Sequence, residues 1–229
     1  MTETEKIINY LGQFVTGRRM STISRVLENR TRYITLVLED IFQAHNASAV
    51  LRSCECFGIQ DIHIIENKNK YSVNPDVVMG ATKWLTLHRY NSLPYNTIEA
   101  VTLLRQQDYR IVATSLDKKS TSLDHFDITK GKTAIFFGTE LTGLTPEMLQ
   151  MADEYLHIPV YGFTESYNIS VSAAIILHHL TTLLRQSDIA WQLTPGEILE
   201  LKLQWLKNTI KKADLLIKDF HARKTPPDL

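Results

Sequence analysis

Three short stretches hold the residue types from which chemistry can be built. The first is His45-Asn46-Ala-Ser48-Ala-Val-Leu-Arg52. Asn46 can cap the helix it opens, since an Asn side chain accepts from the free amides of a first turn. Arg52 sits in an otherwise apolar helical pattern, where a guanidinium finds a carboxylate or a phosphate because its desolvation is costly. Six residues place the two about 240° apart around a helix, so a shared role needs Asn46 to act from the loop. The second stretch is Phe137-Gly138-Thr-Glu140-Leu-Thr-Gly143-Leu144. Its glycines allow close backbone approach or positive φ, and put an acid at the end of a strand. The third runs Ile158-Pro-Val-Tyr-Gly162-Phe-Thr-Glu165-Ser166-Tyr167-Asn168-Ile-Ser170-Val-Ser172-Ala-Ala174. It leads a polar cluster into a helix with small first turns, whose N-terminus suits an anionic or carbonyl ligand group. A plain Ser/Asn N-cap is the simpler use of the same residues.

The elements that must position these stretches follow from apolar spacing. Helices are predicted over 4–15, 20–30, 46–57, 96–107, 145–152 and 168–185. Strands are predicted over 33–38, 61–65, 85–90, 109–114, 133–137 and 155–158, with polar loops over 66–80 and 115–131. Strand alternating with helix, the strands being near-continuously apolar, indicates an α/β fold: a mostly parallel sheet covered by helices on both faces. Ligands of such sheets bind outside the carboxyl ends of the strands, where all three stretches fall. The segment 194–220 differs. Leu199, Leu203, Leu206, Ile210, Ala213, Ile217 and Phe220 form one unbroken heptad stripe. It is expected to lie on the N-terminal helices or on a second subunit, the first being more economical.

At 229 residues and 44% hydrophobic content, the chain buries enough core to need no disulfide or metal staple. It is too apolar, with too few Gly and Pro, to be disordered or fibrous. No apolar run approaches the length of a membrane helix, and the polar, acidic N-terminus is wrong for a secretory signal. Cys54 and Cys56 diverge on a helix and form no zinc site, so they read as reduced thiols of a cytoplasmic protein. The histidines show no metal spacing, and no metal is expected; His178 and His179 read as surface or packing residues. No P-loop, dinucleotide fingerprint, metalloprotease helix or nucleophile elbow is present. Net charge is zero, but unevenly spread. Residues 1–32 carry +3 through Lys6, Arg18, Arg19, Arg25, Arg30 and Arg32 against three acids. Residues 201–224 carry +5 through Lys202, Lys207, Lys211, Lys212, Lys218, Arg223 and Lys224 against two, which with Asp228 counted leaves −7 on 33–200. Basic ends on an acidic body suit a polyanionic partner, although two solvated helix faces would read the same way.

Taken together and in order, Asn46-x5-Arg52, Gly138-Thr-Glu140-x2-Gly143-Leu144 and Ile158-Pro159-x6-Ser166-Tyr167-Asn168-x-Ser170-x-Ser172 resemble the three motifs of the SPOUT superfamily. They are most similar to its TrmH-type RNA 2′-O-ribose methyltransferases, over about residues 33–185. The resemblance implies a trefoil knot in the sheet, a homodimer, and S-adenosylmethionine held by backbone near Thr114, Gly138, Ile158 and Tyr167. Tyr167 stands where many relatives have Leu, a change that a backbone contact survives. By the same resemblance Arg52 is the catalytic arginine, Asn46 its motif-one partner, Glu140 the motif-two acid, and Ser166 and Asn168 the motif-three polar pair.

The implied reaction is attack of a ribose 2′-hydroxyl on the cofactor's methyl group. A 32-residue N-terminal helical extension, a core over 33–185 and a basic helical extension over 186–229 resemble the layout of tRNA enzymes that methylate guanosine 18 of the D-loop. The basic ends would then lie on tRNA phosphates. Three alternatives stay open: an rRNA-directed enzyme of the same chemistry, a non-catalytic RNA-binding relative, and an unrelated nucleotide-binding α/β enzyme.

Overall fold

The computed structural model describes residues 1–117 and 119–222. In chain order the elements are α1 (Glu3–Gly12), α2 (Gly17–Leu27), β1 (Ile34–Glu39), α3 (Ala44–Phe57), β2 (Asp61–Ile65), α4 (Pro75–Val78) and β3 (Thr86–Tyr90). There follow α5 (Thr97–Gln106), β4 (Arg110–Thr114), β5 (Thr121–Ser122), β6 (Thr133–Phe137), α6 (Pro146–Met151) and β7 (Glu154–His157). The last are α7 (Ile169–Gln186), α8 (Pro195–Thr209) and α9 (Ala213–Ala222). The chain divides into two compact units, Met1–Arg30 with the segment from Gln192, and Thr31–Trp191.

The larger unit is a seven-stranded parallel sheet in the order β3-β2-β1-β6-β4-β7-β5. Central strand β1 is buried along its whole length and pairs Leu36 with Ile62 on one side and Ile135 on the other. Side chains alternate across the sheet. Leu36 and Leu38 therefore enter a core with Val50, Leu51, Leu177 and Leu180 of α3 and α7. Val37, Ile111 and Phe136 enter the opposite core with Val101, Leu104 and Met148 of α5 and α6. Two expected loops hold structure. Asn74 caps α4 inside 66–80, its Oδ1 accepting from the Asp76 amide at 3.0 Å. Strand β5 inside 115–131 extends the sheet beyond β7 with only Thr121 and Ser122, which carry no apolar signature.

The smaller unit packs α8 and α9 on α1, and α8 on α2. Thr2 with Glu5 and Thr194 with Glu197 close capping boxes at α1 and α8. The expected unbroken stripe is corrected here. The helix stops at Ile210, whose backbone is extended, and Lys212 turns through φ 66° before α9 begins. Breaking there lets both halves bury apolar faces within the chain. Leu201, Trp205 and Leu206 are buried on α8 and Ala213 on α9, and the Phe220 ring lies 5.1 Å from that of Tyr10. Two cations counted in the basic N-terminus are structural. Arg30 is fully buried over the Trp205 ring, 5.2 Å from its centroid, and Arg32 pairs with Asp61 at 2.8 Å. Arg223 and Lys224 lie outside the described residues.

His63 on β2 stacks on His88 with centroids 4.5 Å apart and meets the Tyr90 hydroxyl through Nδ1 at 2.8 Å. Burial, then the neighbouring His88, push its pKa down from 6.5 to about 3. Its folded pKa is the lower one, so below pH about 6.5 the unfolded chain gains a proton that the fold refuses. Stability is lost as pH falls from about 6.5 towards about 3, by up to roughly 1.4 kcal/mol per pH unit. Urea unfolding at pH about 7.5 and about 5 is expected to show wild type losing about 2 kcal/mol more than His63→Asn. Equal losses would exclude His63 as the source.

Candidate active site

The carboxyl ends of β4, β6 and β7 open onto one cavity of about 580 Å³. Its lining includes Thr114, Gly138, Ile158 and Tyr167, and also Glu140, Ser166 and Asn168. Leu116, Leu144, Leu156 and Ile176 add apolar wall.

The loop after β6 is shaped by its glycines. Thr139 and Gly143 exchange backbone hydrogen bonds of 3.0 Å each way, and Gly143 takes φ +69°. A Cβ on Gly138 would stand 2.1 Å from the Gly143 carbonyl carbon, so the close approach is to the loop's own backbone. The turn holds Glu140 and Leu141 out at its tip, Leu141 being 98% exposed.

Glu140 Oε1 accepts from Asn46 Nδ2 at 2.7 Å and from Asn168 Nδ2 at 2.7 Å. Asn168 Nδ2 also reaches Asn46 Oδ1 at 3.2 Å. One carboxylate oxygen therefore ties together residues that follow three different strands. Glu140 Oε2 has no hydrogen-bond partner among the described residues, and can accept from a ligand hydroxyl or amine. Asn168 serves both readings of its motif. Its Oδ1 caps α7 by accepting from the Ser170 amide at 2.9 Å and hydroxyl at 2.6 Å, while its Nδ2 faces Glu140.

Asn46 is not the cap of α3. That helix opens at Ala44 with Gln43 at the cap, and Asn46, 4% exposed, lies within the first turn. Its amide is engaged by Glu140 and Gln43, so it reaches the site from the helix itself. Arg52 is exposed, is not among the cavity-lining residues, and has no side-chain partner among the described residues. The expected carboxylate or phosphate is thus not supplied by the described part of the chain. Thr114 lines the cavity with its hydroxyl already donated to the Phe136 carbonyl at 2.8 Å, leaving backbone for a ligand.

Residues 33–178 match the model of the SpoU rRNA Methylase family. The chain belongs to this family. It is 46% identical over 206 residues to the tRNA (guanosine(18)-2′-O)-methyltransferase of Borreliella burgdorferi, covering 90% of this chain and 92% of that one. It is 33% identical over 162 residues to the enzyme of the same name from Thermus thermophilus, covering 71% and 81%. Among solved structures, the A. aeolicus TrmH/SpoU tRNA modifying enzyme superposes with a TM-score of 0.76 at 26% identity, over 85% of this chain and 98% of that one. The family match contains all three loops of the cavity.

Sequence reasoning passed over Leu116, Leu156 and His157 as cavity residues, and held Leu144 only as the last residue of its second motif. Their signal was position: Leu156 and His157 end β7, and Leu116 lies two residues beyond β4. It also passed over Gln43, which has no motif of its own. No group of three or more His, Cys, Asp or Glu able to hold a metal occurs among the described residues. No described helix is long and apolar enough to cross a membrane.

Proposed function

We propose that this chain is an S-adenosylmethionine-dependent tRNA 2′-O-methyltransferase acting on guanosine 18 of the D-loop. The observation that carries the reading is the convergence of the motif residues Asn46, Glu140 and Asn168 on one carboxylate oxygen at a ligand-sized cavity. A volume of about 580 Å³ lies within the roughly 300–1,000 Å³ range of small-molecule sites, and apolar walls beside polar loop residues suit a nucleoside with an amino-acid tail. When bound, the cofactor supplies a methyl group made electrophilic by a positive sulfur.

The chain's residues do the positioning. Backbone near Thr114, Gly138, Ile158 and Tyr167 holds the cofactor, and Glu140 with its two asparagines keeps the rim rigid. Arg52 takes a substrate phosphate and stabilises the charge that develops on the ribose oxygen, the 2′-hydroxyl proton passing to water; Arg52 almost never deprotonates, so a general-base role for it is physically strained. Ser166 joins Asn168 at the rim. In this reading the core over 33–185 carries the trefoil knot and works in the cytoplasm as a homodimer. The extensions 1–32 and 186–229 lie on the tRNA backbone through exposed side chains, such as Arg18, Arg19, Arg25, Lys211 and Lys218, that have no side-chain partner among the described residues. Loop residues Phe42, Leu141 and Phe163, 75%, 98% and 109% exposed, support a subunit interface close to the site.

The test is transfer from labelled S-adenosylmethionine to unmodified tRNA transcripts and to ribosomal RNA, with the product nucleoside mapped. A 2′-O-methylguanosine in the D-loop is expected. Transfer to ribosomal RNA alone, the substrate in the family's description, would keep the chemistry and discard the substrate. Transfer to neither would leave an RNA-binding protein.

A further inference from the structure

We infer that Gln43 is a positioning residue for methyl transfer, acting through Asn46; the inference rests on the function proposed above. The amide orientations around Glu140 follow from one donor whose direction is fixed. The Ser170 backbone N–H can only donate, so the Asn168 atom 2.9 Å from it is the oxygen. Asn168 Nδ2 therefore points outward, to Glu140 Oε1 at 2.7 Å and to Asn46 Oδ1 at 3.2 Å. With Asn46 Oδ1 held there, Asn46 Nδ2 must face the other way, where it meets two acceptors. These are Glu140 Oε1 at 2.7 Å and Gln43 Oε1 at 2.9 Å.

Gln43 is thus the last member of the relay and the acceptor for the second Asn46 proton. Asn46 is only 4% exposed although Gln43 is itself exposed, so a side chain of Gln43's length without its acceptor would leave that proton without a partner. A buried unpaired donor is costly, and relief requires Asn46 to shift and loosen its hold on Glu140. Position 43 also bears a mark of this role. It is the N-cap of α3, yet its side chain makes no cap hydrogen bond. Ser or Asp would cap better, so the residue present serves Asn46 and not the helix.

The experiment compares wild type with Gln43→Met, which keeps the length and removes the acceptor, and Gln43→Ser, which restores a cap. Both are expected to lower kcat roughly 3- to 10-fold, the effect of one hydrogen bond, with KM for S-adenosylmethionine and tRNA within about twofold of wild type. Gln43→Ser is expected to melt no lower than wild type, separating a lost relay from a weakened fold. In parallel, the Asn46 side-chain amide resonances, assigned by their loss in Asn46→Asp, are expected to shift and exchange faster in Gln43→Met. Wild-type kcat in Gln43→Met, or unmoved amide resonances, would overturn the inference. A wild type that methylates no tRNA would sink the proposed function instead, and the resonances alone would then decide whether Gln43 orients Asn46.

Discussion

Arg52→Ala is expected to lose methyl transfer by about 100- to 1,000-fold while folding and binding cofactor as wild type does. The reasoning is geometric. Arg52 is exposed and without a partner among the described residues, and surface changes of that kind alter stability by no more than about 0.5 kcal/mol. It is not among the cavity-lining residues, so titration with S-adenosylmethionine is expected to return the wild-type Kd within about twofold. In the proposed mechanism the change removes a charged donor to an oxyanion, typically worth about 3–4 kcal/mol in the transition state. Arg52→Lys keeps the charge without the planar fork and is expected to recover only a small part. Single-turnover transfer to tRNA beside a cofactor titration checks both halves. An Arg52→Ala protein with more than about a tenth of wild-type turnover would remove Arg52 from the catalytic set, and a lost cofactor affinity would move it to the cavity.

Gly138→Ala is expected to be the most damaging single-methyl change at the site. The added Cβ would lie 2.1 Å from the Gly143 carbonyl carbon and 2.2 Å from both the Gly143 oxygen and the Leu144 nitrogen. All three are backbone, so no side chain can swing aside. The loop must open, breaking the paired Thr139–Gly143 hydrogen bonds and carrying Glu140 away from Asn46 and Asn168. A stability loss of about 3 kcal/mol, the upper part of the overpacking range, is expected in urea unfolding, with cofactor affinity down at least about 100-fold. Gly143→Ala is the control. It meets nothing within 4 Å but must keep φ +69°, so about 1–2 kcal/mol of backbone strain is expected with the cavity wall intact. Near-wild-type cofactor binding in Gly138→Ala would show that the loop turn is dispensable to the site.

The sheet was legible where burial is written into composition. β1 and β6 are near-continuous apolar runs because both faces are covered, and β2 follows the same logic at its three isoleucines, with Asp61 and His63 as buried polar intrusions. Legibility failed where a local pattern serves a distant contact. β5 exists because Thr121 and Ser122 pair with Leu156 and His157, and two polar residues advertise nothing of that pairing. The stripe over 199–220 keeps its spacing in the sequence, yet the helix breaks at Ile210–Lys212 and α8 buries Leu201 and Trp205, which lie off the stripe, beside Leu206, because the surface it packs on decides which face is covered. Arg30 looked like a solvated cation and is a buried one, because the ring that receives it belongs to Trp205.

The site divides in the same way. Residue types and spacing alone determined that three polar, glycine- or asparagine-bearing loops would sit at strand ends, since elements are set by propensities and periods a few residues long. Only the tertiary structure decided that Asn46, Glu140 and Asn168 share one carboxylate oxygen. They are separated by 94 and 122 residues in the chain, and strand order, which no local period encodes, brings them together. It likewise decided that Asn46 reaches the site from within a helix and that Gln43 completes its hydrogen bonds. A side chain's partner is set by the strand that lands beside it, and the strand-to-strand contacts that settle this are non-local.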